Sequence, residues 1–490
     1  MQLRDTSAVA PDLAAGGERI TCDLCVIGAG SGGLSVAAAA AAFGEKVVLI
    51  EKHKMGGDCL NYGCVPSKAL LAAARRAHAI RTSGSFGIRT HFEPDIDHQA
   101  VHDHVMGVID AIAPNDSVER FTGLGVRVIQ AAGRFHDRQT VQAGEHLITA
   151  RRFVVATGSS PLVPDIPGLR QVPFFTNETI FSNSERLPHL IIIGGGPIGL
   201  EMAQAHLRLG SRITVIEAHT PLGNDDPELS AVVLGALRDE GLDVREGAVI
   251  EAIEGRAGSV RVIVRRGGGT EAIEGTHLLV AAGRTPNLEG LSLEAGGIAY
   301  DGQGIKVDKA LITSNKRVFA IGDCIGSPQF THVANYHAGL VIRRALFRMP
   351  AKVDDGIIPW VTYTDPELAQ VGLTEEQARK TRSRIRVLRW PLAENDRAQA
   401  DRSTRGLVKV VTDSAGTILG AGIVGTGAGE IIQMWSLAVS QKLKIKAMTS
   451  WISPYPTYSE VNKRVAYRFY ADAPASPAVR RIVGLLKVFG

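Results

Sequence analysis

The chain has 490 residues, more than one hydrophobic core usually supports, so its length predicts two to four domains. Its 54 basic and 50 acidic residues give a formal net charge of +4, which is too small and too dispersed to indicate nucleic acid as a partner. Five cysteines are too few for a disulfide-stapled secreted scaffold, and no apolar run reaches the roughly 18 to 20 residues that span a bilayer. These features predict a cytoplasmic protein that binds small molecules.

The first nineteen residues, MQLRDTSAVAPDLAAGGER, are predicted to form a flexible leader. Charged side chains occur early in this segment, and it lacks the continuous apolar core of a signal peptide. The globular structure is therefore expected to begin at about residue 20.

A dinucleotide-binding pattern occupies residues 23–51, DLCVIGAGSGGLSVAAAAAAFGEKVVLIE. It predicts a buried strand, a glycine turn on Gly28, Gly30 and Gly33, a helix of small residues, and a second strand that ends on Glu51. The first glycine permits the tight turn, the second lets the backbone approach a pyrophosphate, and the third lets helix and strand pack closely. Glu51 is the acid expected to accept hydrogen bonds from ribose hydroxyls.

The same pattern recurs in residues 190–217, LIIIGGGPIGLEMAQAHLRLGSRITVIE, with glycines at Gly194, Gly196 and Gly199. Glu217 ends this segment, and it follows its third glycine by 18 positions, the offset also found in the first copy. A single glycine turn can arise for steric reasons alone, whereas two copies in register predict two bound dinucleotides. Glu217 would repel a 2′-phosphate, and the seven residues after it contain no Arg or Lys, so NADH is predicted over NADPH.

Two cysteines, Cys59 and Cys64, lie in the glycine-bounded segment GGDCLNYGCVPSK, residues 56–68. The run at 68–80 is strongly helix-forming, so the cysteines precede or open a helix whose N-terminus stabilises a thiolate. A zinc site, a structural disulfide and two unrelated thiols are the alternatives. Zinc usually takes about four ligands, which no second cluster supplies, and structural disulfides are rare in a reducing compartment. The residues thus favour a redox-active pair.

The other three cysteines are predicted to be core residues. Cys22 and Cys25 lie in the first predicted strand, where residues three apart point to opposite faces and cannot readily chelate a metal or form a bridge. Cys324 follows Gly322 and Asp323 at the end of the run TSNKRVFAIGDC and is expected to be a buried small hydrophobe. A Gly-Asp at the end of a buried strand suits a carboxylate that binds a polyol, such as the ribityl chain of a flavin, although an ordinary turn is the alternative.

Together with VVATGSSP at 154–161, VAAGRTPN at 280–287 and YTDPELAQVGLTEEQA at 363–378, these motifs resemble the class I pyridine nucleotide-disulfide oxidoreductases. The resemblance implies an α/β fold with two Rossmann-like dinucleotide-binding domains, for FAD and NAD(P), and a C-terminal α+β dimerisation domain. The expected domains are FAD-binding at 20–165 and 290–355, NAD(P)H-binding at 166–289, and dimerisation at 356–490.

The resemblance also implies FAD and NADH or NADPH as cofactors, and an active site shared between the subunits of a homodimer. Electrons would pass from NAD(P)H through FAD to a Cys59–Cys64 disulfide, with Cys64 attacked by the reduced flavin and Cys59 meeting the substrate. Lys68 would lie near the flavin. The cofactor-binding residues would be Gly28, Gly30, Gly33, Glu51, Lys68, Gly133, Thr157, Gly158, Asp323, Gly194, Gly196, Gly199, Glu217 and Gly283.

The chain departs from the family pattern at SPYPTYSE, residues 453–460. Thiol reductases of the family carry a His-Pro-Thr motif there, followed by Glu, and that His shuttles protons to and from the substrate thiol. Tyr455 takes the place of the His, while Glu460 is kept. A free tyrosine titrates near 10, so only about one in a thousand is ionised at pH 7. Tyr455 is expected to donate a proton more readily than it accepts one, and Tyr455-Pro456 is expected to be cis.

Three functions follow from these features. The first is a dihydrolipoyl dehydrogenase-like oxidoreductase that acts on a disulfide or thiol substrate. The second is a mercuric or other soft metal-ion reductase, although the chain has no cysteine beyond 324 to form the C-terminal pair typical of mercuric reductases. The third is a non-enzymatic redox-sensing flavoprotein.

The segment SPAVRRIVGLLKVFG, residues 476–490, mixes apolar residues with Arg480, Arg481 and Lys487. This pattern predicts a short amphipathic helix. It would either pack on the dimer or rest on a membrane surface.

Overall fold

A computed structural model describes residues 17–490 of the protein. Most of the predicted leader, residues 1–16, lies outside the described residues, and the first strand begins at Arg19. The described chain forms two compact units, and the predicted domain boundaries stay predictions. The first unit contains the residues up to Ala69, Asp103–Leu162 and Arg284–Val353, and the second contains Leu70–His102, Val163–Gly283 and Asp354–Gly490.

The strands are numbered in chain order. They are β1 Arg19–Ile27, β2 Val47–Glu51, β3 Val126–Gln130, β4 Gly133–Phe135, β5 Thr140–Ala143, β6 His146–Val155, β7 Ser159–Pro161, β8 His189–Ile193, β9 Arg212–Glu217, β10 Asp243–Glu246, β11 Val249–Arg256, β12 Ser259–Arg266, β13 Gly269–Gly275, β14 His277–Val280, β15 Arg284–Pro286, β16 Tyr300–Asp301, β17 Gly304–Ile305, β18 Val318–Ala320, β19 Pro359–Thr362, β20 Glu367–Gly372, β21 Ile385–Pro391, β22 Leu407–Asp413 and β23 Ile418–Gly425.

The helices are numbered in the same way. They are α1 Ser31–Ala42, α2 Gly57–Asn61, α3 Cys64–Thr82, α4 His98–Ile112, α5 Val118–Gly123, α6 Asn177–Ile180, α7 Pro197–Arg208, α8 Pro227–Asp239, α9 Thr331–Ala345, α10 Glu375–Thr381, α11 Asp396–Ala400, α12 Ala428–Ile431, α13 Gln433–Ser440, α14 Val461–Tyr467 and α15 Pro477–Leu486.

The first unit is built on a sheet with the order β3-β2-β1-β6-β5-β4, in which β18 also pairs with β6. Strands β1, β2, β3, β6 and β18 pair in parallel, and every residue of β2 is buried. Such near-continuous apolar strands are typical of parallel sheets that are covered on both faces. The helix α1 connects β1 to β2, so this unit has the strand, glycine turn, helix and strand that the sequence predicted.

The second unit contains a parallel sheet with the order β10-β9-β8-β14, in which α7 connects β8 to β9. The same unit holds the antiparallel sheet β19-β20-β23-β22-β21. Helix α13 contributes the fully buried Trp435, whose indole N–H donates to Asn462 Oδ1 at 2.7 Å. Two Rossmann-like folds and an α+β sheet confirm the predicted fold class.

A buried cluster of charges ties β22 to α8 and α10 within the second unit. Lys409 is only 6% exposed, and its Nζ lies 2.8 Å from Asp226 Oδ2, 2.9 Å from Glu228 Oε2 and 2.9 Å from Glu375 Oε2. Arg389 also contacts both glutamates, at 2.8 and 2.9 Å. Burial disfavours the charged form of Lys409, but the hydrogen bonds that it donates to the three carboxylates outweigh burial and raise its pKa.

Candidate functional site

The glycine turn after β1 has the shape of a dinucleotide cradle. Gly28 has a φ of +105°, and a Cβ there would lie 2.4 Å from the carbonyl oxygen of Ala156. A Cβ at Gly33 would lie 1.8 Å from the carbonyl oxygen of Gly28, so α1 packs on β1 only through glycine. A Cβ at Gly30 would meet nothing closer than 4.0 Å, which leaves open space at the position where a pyrophosphate is expected to approach.

The turn after β8 repeats this arrangement. Gly194 has a φ of +111°, and a Cβ there would lie 2.3 Å from the carbonyl oxygen of Ala281. A Cβ at Gly199 would lie 2.0 Å from the carbonyl oxygen of Gly194, whereas a Cβ at Gly196 would meet nothing within 4 Å. Both turns therefore leave room for a ligand at their second glycine, and both fit a dinucleotide.

The acids at the ends of the two motifs make matching contacts. Glu51 accepts hydrogen bonds from the backbone N–H groups of Ala29, at 2.7 Å, and His53, at 2.8 Å, one at each carboxylate oxygen. Glu217 accepts from Gly195 and His219 in the same way, both at 2.8 Å. Each carboxylate oxygen keeps a further lone pair, so a ribose hydroxyl can still donate to it. The sequence indicated the ribose role but not that each acid also holds its own turn.

A polar cluster surrounds Asp323 in the first unit. Ser159 Oγ donates to Asp323 Oδ2 at 2.6 Å, and Arg284 Nε donates to Ser159 Oγ at 2.7 Å. Arg284 also forms an ion pair with Asp58 at 3.2 Å, which places a guanidinium beside the residue that precedes Cys59. Burial raises the pKa of Asp323, while the Ser159 hydrogen bond and the charge of Arg284 oppose this shift.

The other predicted cofactor residues take separate positions in the two units. A Cβ at Gly133 on β4 would lie 3.2 Å from Ile50 Cγ2, and Thr157 Oγ1 donates to the carbonyl of Asn287 at 2.8 Å. Gly158 and Gly283 have φ values of +69° and +120°. Lys68 Nζ donates to Ser67 Oγ at 3.4 Å. Their roles toward a cofactor stay predictions.

The two central cysteines are brought together by α2 and α3. Cys59 lies within α2, which the sequence did not predict, and Cys64 is the first residue of α3. Both are free thiols, Cys64 is exposed and Cys59 is half-buried, and their side chains are hydrogen-bonded to each other. Thr331 Oγ1, at the start of α9, lies 3.3 Å from Cys64 Sγ. The sequence did not indicate this hydroxyl.

The contacts of Cys59 and Cys64 shift the pKa values of the two thiols in opposite directions. Hydrogen bonds from Cys59 and Thr331, with the positive charge of Lys68, outweigh the partial desolvation of the Cys64 sulfur and lower the pKa of Cys64 to about 6, although the residue as a whole is exposed. The same hydrogen bond to Cys64, together with burial, raises the pKa of Cys59. At neutral pH the pair is therefore a Cys64 thiolate that accepts a hydrogen bond from a protonated Cys59. Cys64 is the first residue of α3, where the sequence predicted that a helix N-terminus would favour a thiolate.

Tyr455 is exposed and bound to a carboxylate. Its hydroxyl donates to Asp396 Oδ2 at 2.9 Å, and this hydrogen bond raises the pKa of Tyr455. Glu460 forms an ion pair with Arg464, with 2.7 Å between Oε1 and the guanidinium. The Tyr455-Pro456 bond is cis, as predicted. The remaining cysteines, Cys22, Cys25 and Cys324, are buried, as predicted.

Two dinucleotide cradles, with a polarised thiol pair in the unit of the first cradle, define the class of flavoproteins that exchange electrons between a pyridine nucleotide and a dithiol. The chain belongs to the pyridine nucleotide-disulphide oxidoreductase family. The sequence model of this family matches residues 22–338, and the sequence model of the family's dimerisation domain matches residues 358–466. Members use FAD and NAD(P)H, as predicted, and the dimerisation domain supports a homodimer.

Proteins of known function resemble the chain over most of its length. The mercuric reductase of Lysinibacillus sphaericus is 34% identical over 453 residues, covering 92% of this chain and 83% of that protein. The dihydrolipoyl dehydrogenase of Thermus scotoductus is 35% identical over 459 residues, covering 90% and 95%. The Cu(II) complex of the HOCl-induced flavoprotein disulfide reductase RclA from Escherichia coli matches with a TM-score of 0.81 at 27% identity, covering 90% and 99%. The names of these relatives point to different substrates, so the likeness defines the family of this chain and leaves its substrate open.

Proposed function

We propose that the chain is an NAD(P)H-dependent reductase whose Cys59–Cys64 dithiol transfers electrons to a soft metal ion. Bound FAD supplies the electron relay between the nicotinamide and the thiol pair. The observation that carries the choice of substrate is the hydrogen bond from Tyr455 to Asp396, which raises the pKa of the tyrosine at the position of the family histidine.

A dithiol substrate requires a base at this position. A free thiol has a pKa of about 8.5, so its oxidation at neutral pH depends on a group that removes the proton. Tyr455 keeps its own proton at neutral pH because a phenol ordinarily titrates near 10, and the hydrogen bond to Asp396 raises its pKa further. The Glu460 carboxylate is engaged with the Arg464 guanidinium. The site is therefore poorly suited to dithiol oxidation.

The reduction of a soft metal ion does not require a base at the position of Tyr455. Thiolates are the preferred ligands of soft ions, and no proton has to be removed from the substrate. Cys64 is a thiolate above about pH 6, and Cys59 lies within hydrogen-bonding distance of it, so two sulfurs can bind one ion. Among residues 17–490 no group of three or more His, Cys, Asp or Glu side chains is arranged to hold a metal. The pair thus suits a transient ligand, and the likeness to mercuric reductases supports this substrate class.

A second candidate is a disulfide or thiol substrate, as in dihydrolipoyl dehydrogenase. The likeness to the Thermus scotoductus enzyme favours it, and a protonated tyrosine suits disulfide reduction, in which the leaving thiolate needs a proton. A redox-sensing flavoprotein without turnover is the third candidate. The buried free thiols of Cys22, Cys25 and Cys324 support a reducing, cytoplasmic location in each case.

Anaerobic steady-state oxidation of NADH separates these candidates. The oxidants are Hg(II), Cu(II), lipoamide and glutathione disulfide, and dihydrolipoamide with NAD⁺ tests the reverse direction. We expect kcat/KM for at least one metal ion to exceed that for dihydrolipoamide oxidation by about 100-fold, the usual contribution of a proton-transfer catalyst, because dithiol oxidation lacks a base at Tyr455. Efficient turnover of lipoamide with none of the metal ions would support the second candidate, and no turnover with any oxidant would support the third.

The Tyr455 position gives a separate prediction. Tyr455→His introduces a base that titrates near pH 6.5, so it is expected to raise kcat/KM for dihydrolipoamide oxidation at pH 7 by about 100-fold. Tyr455→Phe is the matched control, and it is expected to leave this rate nearly unchanged. If Tyr455→Phe abolished dihydrolipoamide oxidation, the tyrosine would be the proton acceptor, and a dithiol would then be a suitable substrate for this site.

Nucleotide choice is predicted to rest on Glu217. Its carboxylate would accept from the ribose 2′-hydroxyl of NADH and repel the 2′-phosphate of NADPH. Replacing Glu217 by Ala removes a charge-assisted hydrogen bond of about 1.5 to 3 kcal/mol, so kcat/KM for NADH should fall by roughly 10- to 150-fold. Glu254→Ala, at an exposed strand position, is the control. A wild-type preference for NADPH in the same assay would show the prediction to be wrong.

A further inference from the structure

Helix α15 presents an unusually apolar surface to solvent. It contains no buried residue, and the 3-10 turn at Lys487–Phe489 continues it. The exposed apolar side chains are Val479, Ile482, Val483, Leu485, Leu486, Val488 and Phe489. Such a contiguous patch is a mark of an interaction surface rather than of an ordinary solvated helix.

The apolar and charged residues of α15 lie on opposite sides. With roughly 100° of rotation per residue, Ile482, Leu486 and Val479 share one face. Arg480, Arg481 and Lys487 project from the other face. This separation is the pattern of helices that lie in the plane of a membrane interface.

The charged side chains of α15 and its 3-10 turn are all basic. Residues 473–490 contain Arg480, Arg481 and Lys487 and no acidic residue, and the nearest acid, Asp472, is paired with Arg386 at 3.3 Å. The basic residues of α14 and the turn that follows are engaged elsewhere, since Arg464 pairs with Glu460 and Arg468 lies over the Trp390 ring. The three basic residues of α15 and its 3-10 turn therefore set the charge of this surface, and basic residues on the polar face of an amphipathic helix are typical of binding to anionic lipids.

We propose that α15 lies on an anionic lipid surface, with its apolar face in the acyl boundary and its arginines at the phosphate groups. Two observations favour lipid over a second copy of the chain. The matched dimerisation domain ends at residue 466, before α15 begins, and two α15 helices packed on each other would bring like charges together. No helix in residues 17–490 is long and apolar enough to cross a bilayer, so the contact is peripheral.

The test is flotation of the FAD-loaded full chain with vesicles of phosphatidylcholine alone, or with about 30% phosphatidylglycerol. We expect binding to the anionic vesicles only, and release at high salt because counterions screen the arginines. Arg480→Gln with Arg481→Gln should weaken binding by about 30-fold, since each basic residue near an anionic surface contributes about fivefold. Ile482→Asn with Leu486→Asn should also release the chain.

Two controls make the outcome decisive. Arg265→Gln with Lys380→Gln removes the same two charges from exposed positions elsewhere and should leave vesicle binding unchanged. All variants should keep NADH turnover and dimer mass, measured by light scattering. The proposal is overturned if the wild type ignores anionic vesicles, if the control pair weakens binding as much as the arginine pair, or if the α15 variants dissociate the dimer.

Discussion

Replacing Cys64 by Ser is expected to lower NADH-dependent reduction of every substrate by more than about a thousandfold, the scale of losing a nucleophile. A serine hydroxyl cannot form a disulfide with Cys59, and it does not ionise near the pKa of about 6 that the structure gives Cys64. The measurement is anaerobic NADH oxidation with the full set of metal-ion and disulfide oxidants.

The matched control for this variant is Cys22→Ser. Cys22 is a buried thiol on β1 and has no part in the proposed chemistry. It should keep turnover close to that of the wild type at a temperature where the variant is folded. Retention of turnover within tenfold in Cys64→Ser would remove the thiol pair from the electron path.

Replacing Lys409 by Ala is expected to lower the free energy of unfolding by about 3 to 5 kcal/mol, because it leaves the buried Asp226 carboxylate without its partner. The measurement is chemical denaturation at fixed protein concentration, followed by tryptophan fluorescence. Lys380→Ala is the control, since Lys380 pairs with Glu376 at the surface. Equal effects of the two variants would contradict a stabilising role for the buried cluster.

The same cluster predicts a loss of stability in acid. Although burial opposes ionisation of Glu375, hydrogen bonds from Lys409 and Arg379 lower its pKa to about 2. A carboxylate with a lowered pKa stabilises the fold above its unfolded value, near 4.5, and loses this contribution as the pH falls toward 2. The difference between wild type and Lys409→Ala should therefore shrink over that range.

The sequence predicted the dinucleotide folds from residues that act locally. Gly28 and Gly33 permit one turn and one close helix contact, and the apolar strands on either side leave few other arrangements. The antiparallel sheet β19–β23 contains no comparable sequence motif that predicts its fold. It could be anticipated only from the resemblance to a family.

The thiol site was predictable in its residues but not in its contacts. Cys59 and Cys64 are close in sequence, whereas Thr331 is 267 positions from Cys64, and its hydroxyl is brought there by the start of α9. Arg284 lies in a motif that the sequence singled out, yet its ion pair with Asp58 depends on tertiary packing. Asp396 accepts the hydrogen bond of the Tyr455 hydroxyl and raises the pKa of the tyrosine, but no feature of the sequence indicated this contact.

The central claim is that Cys64 is the thiolate of an exchangeable pair. The direct measurement is a pH titration of the long-wavelength thiolate-to-flavin absorbance of the protein after anaerobic addition of one equivalent of NADH. Because the pKa of Cys64 is lowered to about 6, the band should be present at pH 7.5, lost as the pH falls through about 6, and absent from Cys64→Ser. A midpoint near the ordinary thiol value of about 8.5, or a band that persists in Cys64→Ser, would contradict the claim.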